Sequence, residues 1–204
     1  MTGQDSLRKG HVGEALRVAC LGWGSLVWRP GSLKLCGPWH EDGPLLPLEF
    51  ARTSDKGVGR LTLVITPGAS EVPTLWAVLA YPTIDESVAA LIDREKCQPL
   101  GVGVWPNDAQ SQLPGGEVIG QWGRAKGFHY VIWTALPPQF RGERGRAPAS
   151  AAEAIAYLEQ RNPGILADAE EYVRRAPAQI RTSFRSAFEQ HFGWTPAPNP
   201  HLGR

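Results

Sequence analysis

The 204-residue sequence predicts an α+β fold: a small mixed sheet or barrel that carries one inserted helix, with further helices packed on it. Three observations lead there. Short runs rich in β-branched and aromatic residues recur at 16–21, 46–50, 61–66, 74–81 and 128–136, most of them bounded by Gly, Pro or Asp. Among them only 84–97 carries the apolar period of a helix. After Leu136 the composition changes, and three helix-like segments follow at 150–161, 167–175 and 178–192. The length suits one domain with a core of its own. We therefore expect a flexible N-terminus over 1–14, a single domain over 15–193 with the late helices lying on the strands, and a Pro-rich tail over 194–204.

The first strand, 16–21, runs straight into LGWGSLVW. A strand ending in G-W-G-S-L is expected to turn sharply, because glycine tolerates positive φ, and to present successive backbone N–H groups as a nest for an anion or carboxylate. Three familiar loops do not fit. The third glycine of a dinucleotide-binding turn is missing, and Pro30 and Gly31 oppose the helix that should follow. No Walker lysine follows, and Ser25 is not at the centre of a G-x-S-x-G elbow.

The inserted helix begins with a capping-box pattern, Thr83 followed by Glu86, directly after Pro82. From that start, at about 100° per residue, Ile84, Val88, Leu91 and Ile92 form one apolar stripe. Glu95 falls within the stripe, while Asp93, Arg94 and Lys96 project elsewhere. A carboxylate on the core face loses solvation, and in the last turn the helix dipole disfavours its charge by roughly 0.3–1 kcal/mol. Both effects raise its pKa toward the range useful to a general acid or base. The plainer reading is a glutamate that bends out to solvent or pairs with a structural arginine.

Composition narrows the partners. The net charge is +1 and the basic residues are scattered, which argues against nucleic acid and membrane surfaces. The three cysteines form no C-x-x-C pair, as expected of reduced thiols in a cytoplasmic protein. There is no signal-like segment and no run long enough to span a bilayer. The eight tryptophans, Trp105, Trp122 and Trp133 among them, are expected to pack the core rather than form a stacking platform. His129, inside a strand pattern, is expected to make a structural hydrogen bond. Arg141, Arg144 and Arg146 cluster in the Gly-rich stretch PPQFRGERGRAP, read as a solvated loop, with a clamp on an acidic substrate as the alternative.

Taken together, GWGSLVW after the first strand and LIDREKC on the helix resemble the γ-glutamylcyclotransferase superfamily, its ChaC-like and AIG2-like members above all. The resemblance covers about Val18 to Leu136, with weaker support from AEEYVRRAP around Tyr172. It implies a small mixed barrel and a small-molecule γ-glutamyl substrate held by the loop, with no metal or cofactor. Trp23, Gly24, Ser25 and Leu26 would form the loop, and Glu95 would be the acid/base as the substrate's α-amino group closes 5-oxoproline and expels an amine. Arg52 and Ser54, in LEFARTSDKGVGRLTLVI, and Tyr172 would complete the pocket. Trp23 stands where the family usually has tyrosine. Trp donates one hydrogen bond and accepts none, so the alternative of a non-catalytic binding or regulatory module on the same fold stays open.

Overall fold

The computed structural model describes residues 16–54, 59–107 and 113–198. The expected flexible start over 1–14 and the end of the expected tail, 199–204, lie outside the described residues. The chain is mixed α+β. In order it forms β1 (Val18–Gly22), a single-turn helix α1 (Ser25–Trp28), β2 (Leu45–Thr53), β3 (Leu61–Ile65), β4 (Glu71–Pro73), β5 (Leu75–Val78) and α2 (Ile84–Glu95). Next come β6 (Val102–Trp105), α3 (Gly116–Ala125), β7 (Tyr130–Thr134) and the short hairpin β8 (Gln139–Phe140) and β9 (Glu143–Arg144). Three helices close the fold: α4 (Ala151–Glu159), α5 (Pro163–Arg175) and α6 (Ser183–Phe192).

The strands pair in two mixed sheets and not in the closed barrel that the resemblance implies. One sheet has the order β5-β1-β7-β6, with β1 and β7 parallel and the outer pairs antiparallel. The other has the order β3-β2-β8-β9, and β4 also pairs with β2. The outer edge of β3 is covered locally. The backbone of Leu63 that faces away from β2 is satisfied by two aromatic side chains instead of another strand: Trp23 Nε1 donates to its carbonyl at 3.2 Å, and its N–H donates to Tyr172 Oη at 3.3 Å. An edge strand covered in this way has little left to pair with.

One apolar core joins both sheets and the C-terminal helices. Phe188 of α6 meets Phe50 of β2 at 5.6 Å between ring centres, so the late helices lie on the strands as expected. Packing runs on past α6, because Trp194 is buried and stacks on Phe192 at 4.3 Å. Trp133 is buried, and Trp122 stacks on Phe128. His129 Nδ1 accepts the Arg17 N–H at 3.0 Å, the structural bond expected of it. Helix α3 corrects the expectation that α2 is the one helix among the strands. Gly120 and Gly123 weaken the helical pattern, but a Cβ on either would stand 2.6 Å from Trp105 Nε1 or 2.5 Å from Val131 Cγ2. They are the residues that let α3 lie close against the sheet. No described helix is long and apolar enough to cross a membrane.

Candidate functional site

A cavity of about 780 Å³ opens between the first turn of the chain, the wall of β2 and β3, and the C-terminal end of α2. Its lining includes all eight residues nominated from the sequence: the Trp23 to Leu26 loop, Arg52, Ser54, Glu95 and Tyr172. Each arrives there by a different route.

The loop glycines matter for space rather than for positive φ. Gly24 has φ −122°, and Gly22 is likewise outside the left-handed region. A Cβ on Gly22 would meet the Trp39 ring at 2.6 Å, and one on Gly24 would meet Tyr172 Oη at 2.2 Å. The bare backbone lets β1 end against Trp39 and lets the turn pass directly over the Tyr172 hydroxyl. A one-turn helix does follow, despite Pro30 and Gly31: Val27 N–H donates to Gly24 O at 3.0 Å, and Arg29 N–H to Ser25 O at 2.8 Å. Because α1 begins at Ser25, the amides of Ser25 and Leu26 have no acceptor within it. Trp23 is 5% exposed and spends its only donor on Leu63. It is a wall of the cavity, not a polar contact.

Helix α2 delivers the carboxylate. Thr83 Oγ1 accepts the Glu86 N–H at 3.2 Å, the capping bond expected at its start. At its end Lys96 takes a left-handed conformation, φ 50°, and turns the chain away. Glu95 is the last helical residue, with its side chain 18% exposed. Burial raises its pKa, and the neighbouring Arg94 guanidinium works against that rise.

Arg94 is the residue the sequence reading missed, since it was expected to project away from the cavity. Its side chain is 14% exposed and makes four hydrogen bonds. Nη1 donates to Glu95 Oε1 at 3.1 Å, Nη2 to Ser25 Oγ at 3.1 Å, and Nε and Nη2 to the carbonyl of Arg29 at 3.1 and 2.8 Å. One guanidinium thus ties the acid of α2 to the serine of the loop and to the end of α1. The R-E pair in LIDREKC was the available signal.

On the opposite wall, β2 is irregular. Phe50 pairs with Leu63 and Arg52 with Thr62, leaving Ala51 as the extra residue of a bulge. Bulges re-aim the side chains that follow them. Here Arg52 and Ser54 line the cavity, Arg52 Nη1 donating to Pro137 O at 2.9 Å, while Ser54 Oγ is buried with no hydrogen-bond partner among the described residues. Tyr172, from α5, lies under the loop with its ring edge-on to Trp28 and Phe50 and with Arg60 over its face. Burial pushes its phenol pKa up to about 12, so the hydroxyl stays protonated at neutral pH.

The cavity therefore combines a partly desolvated carboxylate, a turn whose first amides have no acceptor within α1, and arginines on two sides. Cys20, Cys36 and Cys97 are free thiols. Among the described residues no three His, Cys, Asp or Glu side chains gather as a metal-binding group would require. No family model, curated protein or solved structure matches this chain.

Proposed function

We propose that the protein is a γ-glutamyl cyclotransferase-like lyase that releases 5-oxoproline from a small γ-glutamyl compound. The observation that carries this reading is the meeting of Glu95 with the Gly24–Ser25 turn at one cavity, bridged through Arg94. An intramolecular attack asks little else of a protein: positioning, a proton carrier, and donors for the oxyanion.

In this mechanism ionised Glu95 takes a proton from the substrate's α-ammonium, and the freed nitrogen attacks the γ-carbonyl carbon. A new C–N bond closes the five-membered ring, and the negative oxygen is held by amides of the Gly24 to Leu26 turn. Collapse breaks the bond to the leaving amine. Both protons that the α-nitrogen gives up end on the departing nitrogen, with Glu95 as the carrier, so the carboxylate is regenerated. Arg94 is a positioning residue: it fixes Glu95 relative to Ser25 and keeps enough positive potential nearby for the glutamate to ionise.

A second reading, a binding module without turnover, is favoured by the same ion pair, because a carboxylate held by a guanidinium is a weaker base. One experiment separates the two. Glutathione, γ-glutamyl dipeptides and γ-glutamyl amines are incubated with the parent and with Glu95→Gln, and 5-oxoproline is measured by mass spectrometry. The cyclotransferase reading expects product from the parent and a loss of about 100-fold or more in folded Glu95→Gln. Thermal stabilisation by these ligands with no product from either protein would favour the module, and neither product nor stabilisation would refute both.

A further inference from the structure

The turn that carries the proposed chemistry is tied to both walls of the cavity. On the α2 side Arg94 Nη2 donates to Ser25 Oγ at 3.1 Å. On the β3 side both ties end on one residue, Leu63: Trp23 Nε1 donates to its carbonyl at 3.2 Å, and its N–H donates to Tyr172 Oη at 3.3 Å. Trp23 and Tyr172 are each 5% exposed, so these two bonds are shielded from water.

The contacts close on themselves. Besides accepting from Leu63, Tyr172 Oη lies against Gly24, where a Cβ would stand 2.2 Å from it. Gly24 is the chain neighbour of Trp23, whose ring reaches back to Leu63. The path from Trp23 through Gly24, Tyr172 and Leu63 returns to Trp23, and each member fixes the next. Moving Gly24 either breaks a buried hydrogen bond or drives its backbone into the Tyr172 hydroxyl, and a buried polar group left unpaired is costly. Indole suits such a tie, because its ring N–H donates and accepts nothing, so a carbonyl is its natural partner. Trp23 stands where the family it resembles usually has tyrosine, so an indole donor at this place is a feature of this chain and not of that pattern.

We infer that Trp23 is a positioning residue: with Tyr172 it seats the Gly24–Ser25 turn on the edge of β3, and it offers the substrate no hydrogen bond. This rests on the cyclotransferase reading of Glu95 and the turn. The amides of Ser25 and Leu26, which that reading aims at the oxyanion, follow Gly24 directly in the chain, so they inherit their placement from this ring of contacts. Donors stabilise a developing charge best when they are already held in place, and a displacement of about 1 Å costs about 100-fold in rate. Arg94 sets the turn against the acid, and Trp23 sets it against the other wall.

The test replaces Trp23 alone with 3-benzothienylalanine, which keeps the shape of indole and puts sulfur in place of the N–H. Trp23→Phe repeats the loss of the donor with an ordinary side chain, 5-fluorotryptophan at the same position keeps the N–H as a control, and Tyr172→Phe removes the acceptor of the Leu63 N–H. Steady-state release of 5-oxoproline is measured on whichever of glutathione, γ-glutamyl dipeptides and γ-glutamyl amines the parent turns over fastest. The sulfur analogue and Tyr172→Phe should each lower kcat by about 10- to 100-fold with KM within about 3-fold of the parent, while the fluorinated protein keeps the parent's kcat. Because both changes open the same ring, the double variant should lose little beyond either single one. A parent-like kcat in the folded sulfur analogue and in Trp23→Phe overturns the positioning role, as does a rise in KM alone, which would make Trp23 a substrate contact, or losses that multiply in the double variant. In each of those cases the cyclotransferase reading stands. No product from the parent with any compound fails that reading, and the positioning role with it.

Discussion

Gly24→Ala tests whether the loop depends on the close approach of the Tyr172 hydroxyl. The new Cβ would stand 2.2 Å from Tyr172 Oη and 3.2 Å from Cζ, where an ordinary contact is about 3.5 Å. The hydroxyl would have to retreat by more than about 1 Å. The ring has no easy way back, because it is buried between Trp28, Phe50 and the Arg60 guanidinium. Overpacking of this kind costs about 1–3 kcal/mol, and a displaced hydroxyl also loses the Leu63 N–H, worth about 1 kcal/mol. The sum is about 2–4 kcal/mol, or a fall in Tm of about 5–15 °C for a chain of this size. Tyr172→Phe removes the nearest atom and leaves only the 3.2 Å contact to Cζ, so in that background the alanine should cost less than about 1 kcal/mol. Urea unfolding of the parent, both single variants and the double variant closes the cycle, with an expected coupling of about 1–3 kcal/mol. Additivity within about 0.5 kcal/mol would refute the idea that Gly24 is glycine because of Tyr172.

Glu95→Gln should fold, and at pH 7 should melt at or above the parent's temperature. The folded protein binds the Glu95 proton more tightly than the unfolded chain does, because burial raises its pKa against the pull of Arg94. Stability is therefore lost as pH rises from the ordinary glutamate value through the folded one. The advantage of glutamine should vanish below the ordinary value, and a gap in Tm that stays constant from acid to neutral pH would contradict the burial argument. The same shift sets the acid limb of the rate profile. Glu95 must be ionised to accept a proton, so kcat/KM should fall at a pH above the ordinary carboxylate range. Arg94→Met removes the cation that lowers this pKa, and should move the limb closer to neutrality while reducing kcat; an unmoved limb would show that Arg94 does not act through Glu95. Far from the cavity, Arg185 is buried and donates to the carbonyls of Ala176, Pro177 and Ile180. Arg185→Met should lower the unfolding free energy by about 3 kcal/mol, since those acceptors lose their donors. A loss under 1 kcal/mol in chemical denaturation would mean that they find others.

The elements legible in the sequence are those whose pattern follows from one-sided burial. Strands β3, β5 and β7 and helices α2, α4 and α6 fall within the stretches read for them, while β1 runs one residue past its stretch, β2 overruns its stretch at both ends and α5 begins before its own. What stayed hidden depends on contacts between distant residues. Gly120 and Gly123 speak against α3 by propensity, yet the sheet beneath them, at Trp105 and Val131, requires them. Strands β8 and β9 have two residues each, too few for any alternation to appear. The covering of the β3 edge likewise depends on Trp23 and Tyr172 bonding to Leu63, residues 40 and 109 positions from it in the chain.

The site was legible to the extent that backbone direction decides it, and Arg94 marks where that stops. Centring the face of α2 on the stripe Ile84, Val88, Leu91 and Ile92 leaves Arg94 outside it. The buried line of the helix is instead Ser87 and Leu91. At about 100° per residue, Glu95 then lies about 40° to one side of Leu91 and Arg94 about 60° to the other, so the two straddle the line. A carboxylate 40° off the face stays where its short stem puts it. An arginine 60° off can bury its stem and return its head to the cavity from the side. Such a residue is best found by asking what a desolvated carboxylate needs. A glutamate on the core side of a helix end requires a donor, and the nearest cation able to reach it is one residue away. That question, put to LIDREKC, leads to Arg94 without reference to its angular position, and it ties the serine of the loop to the acid of the helix through one side chain.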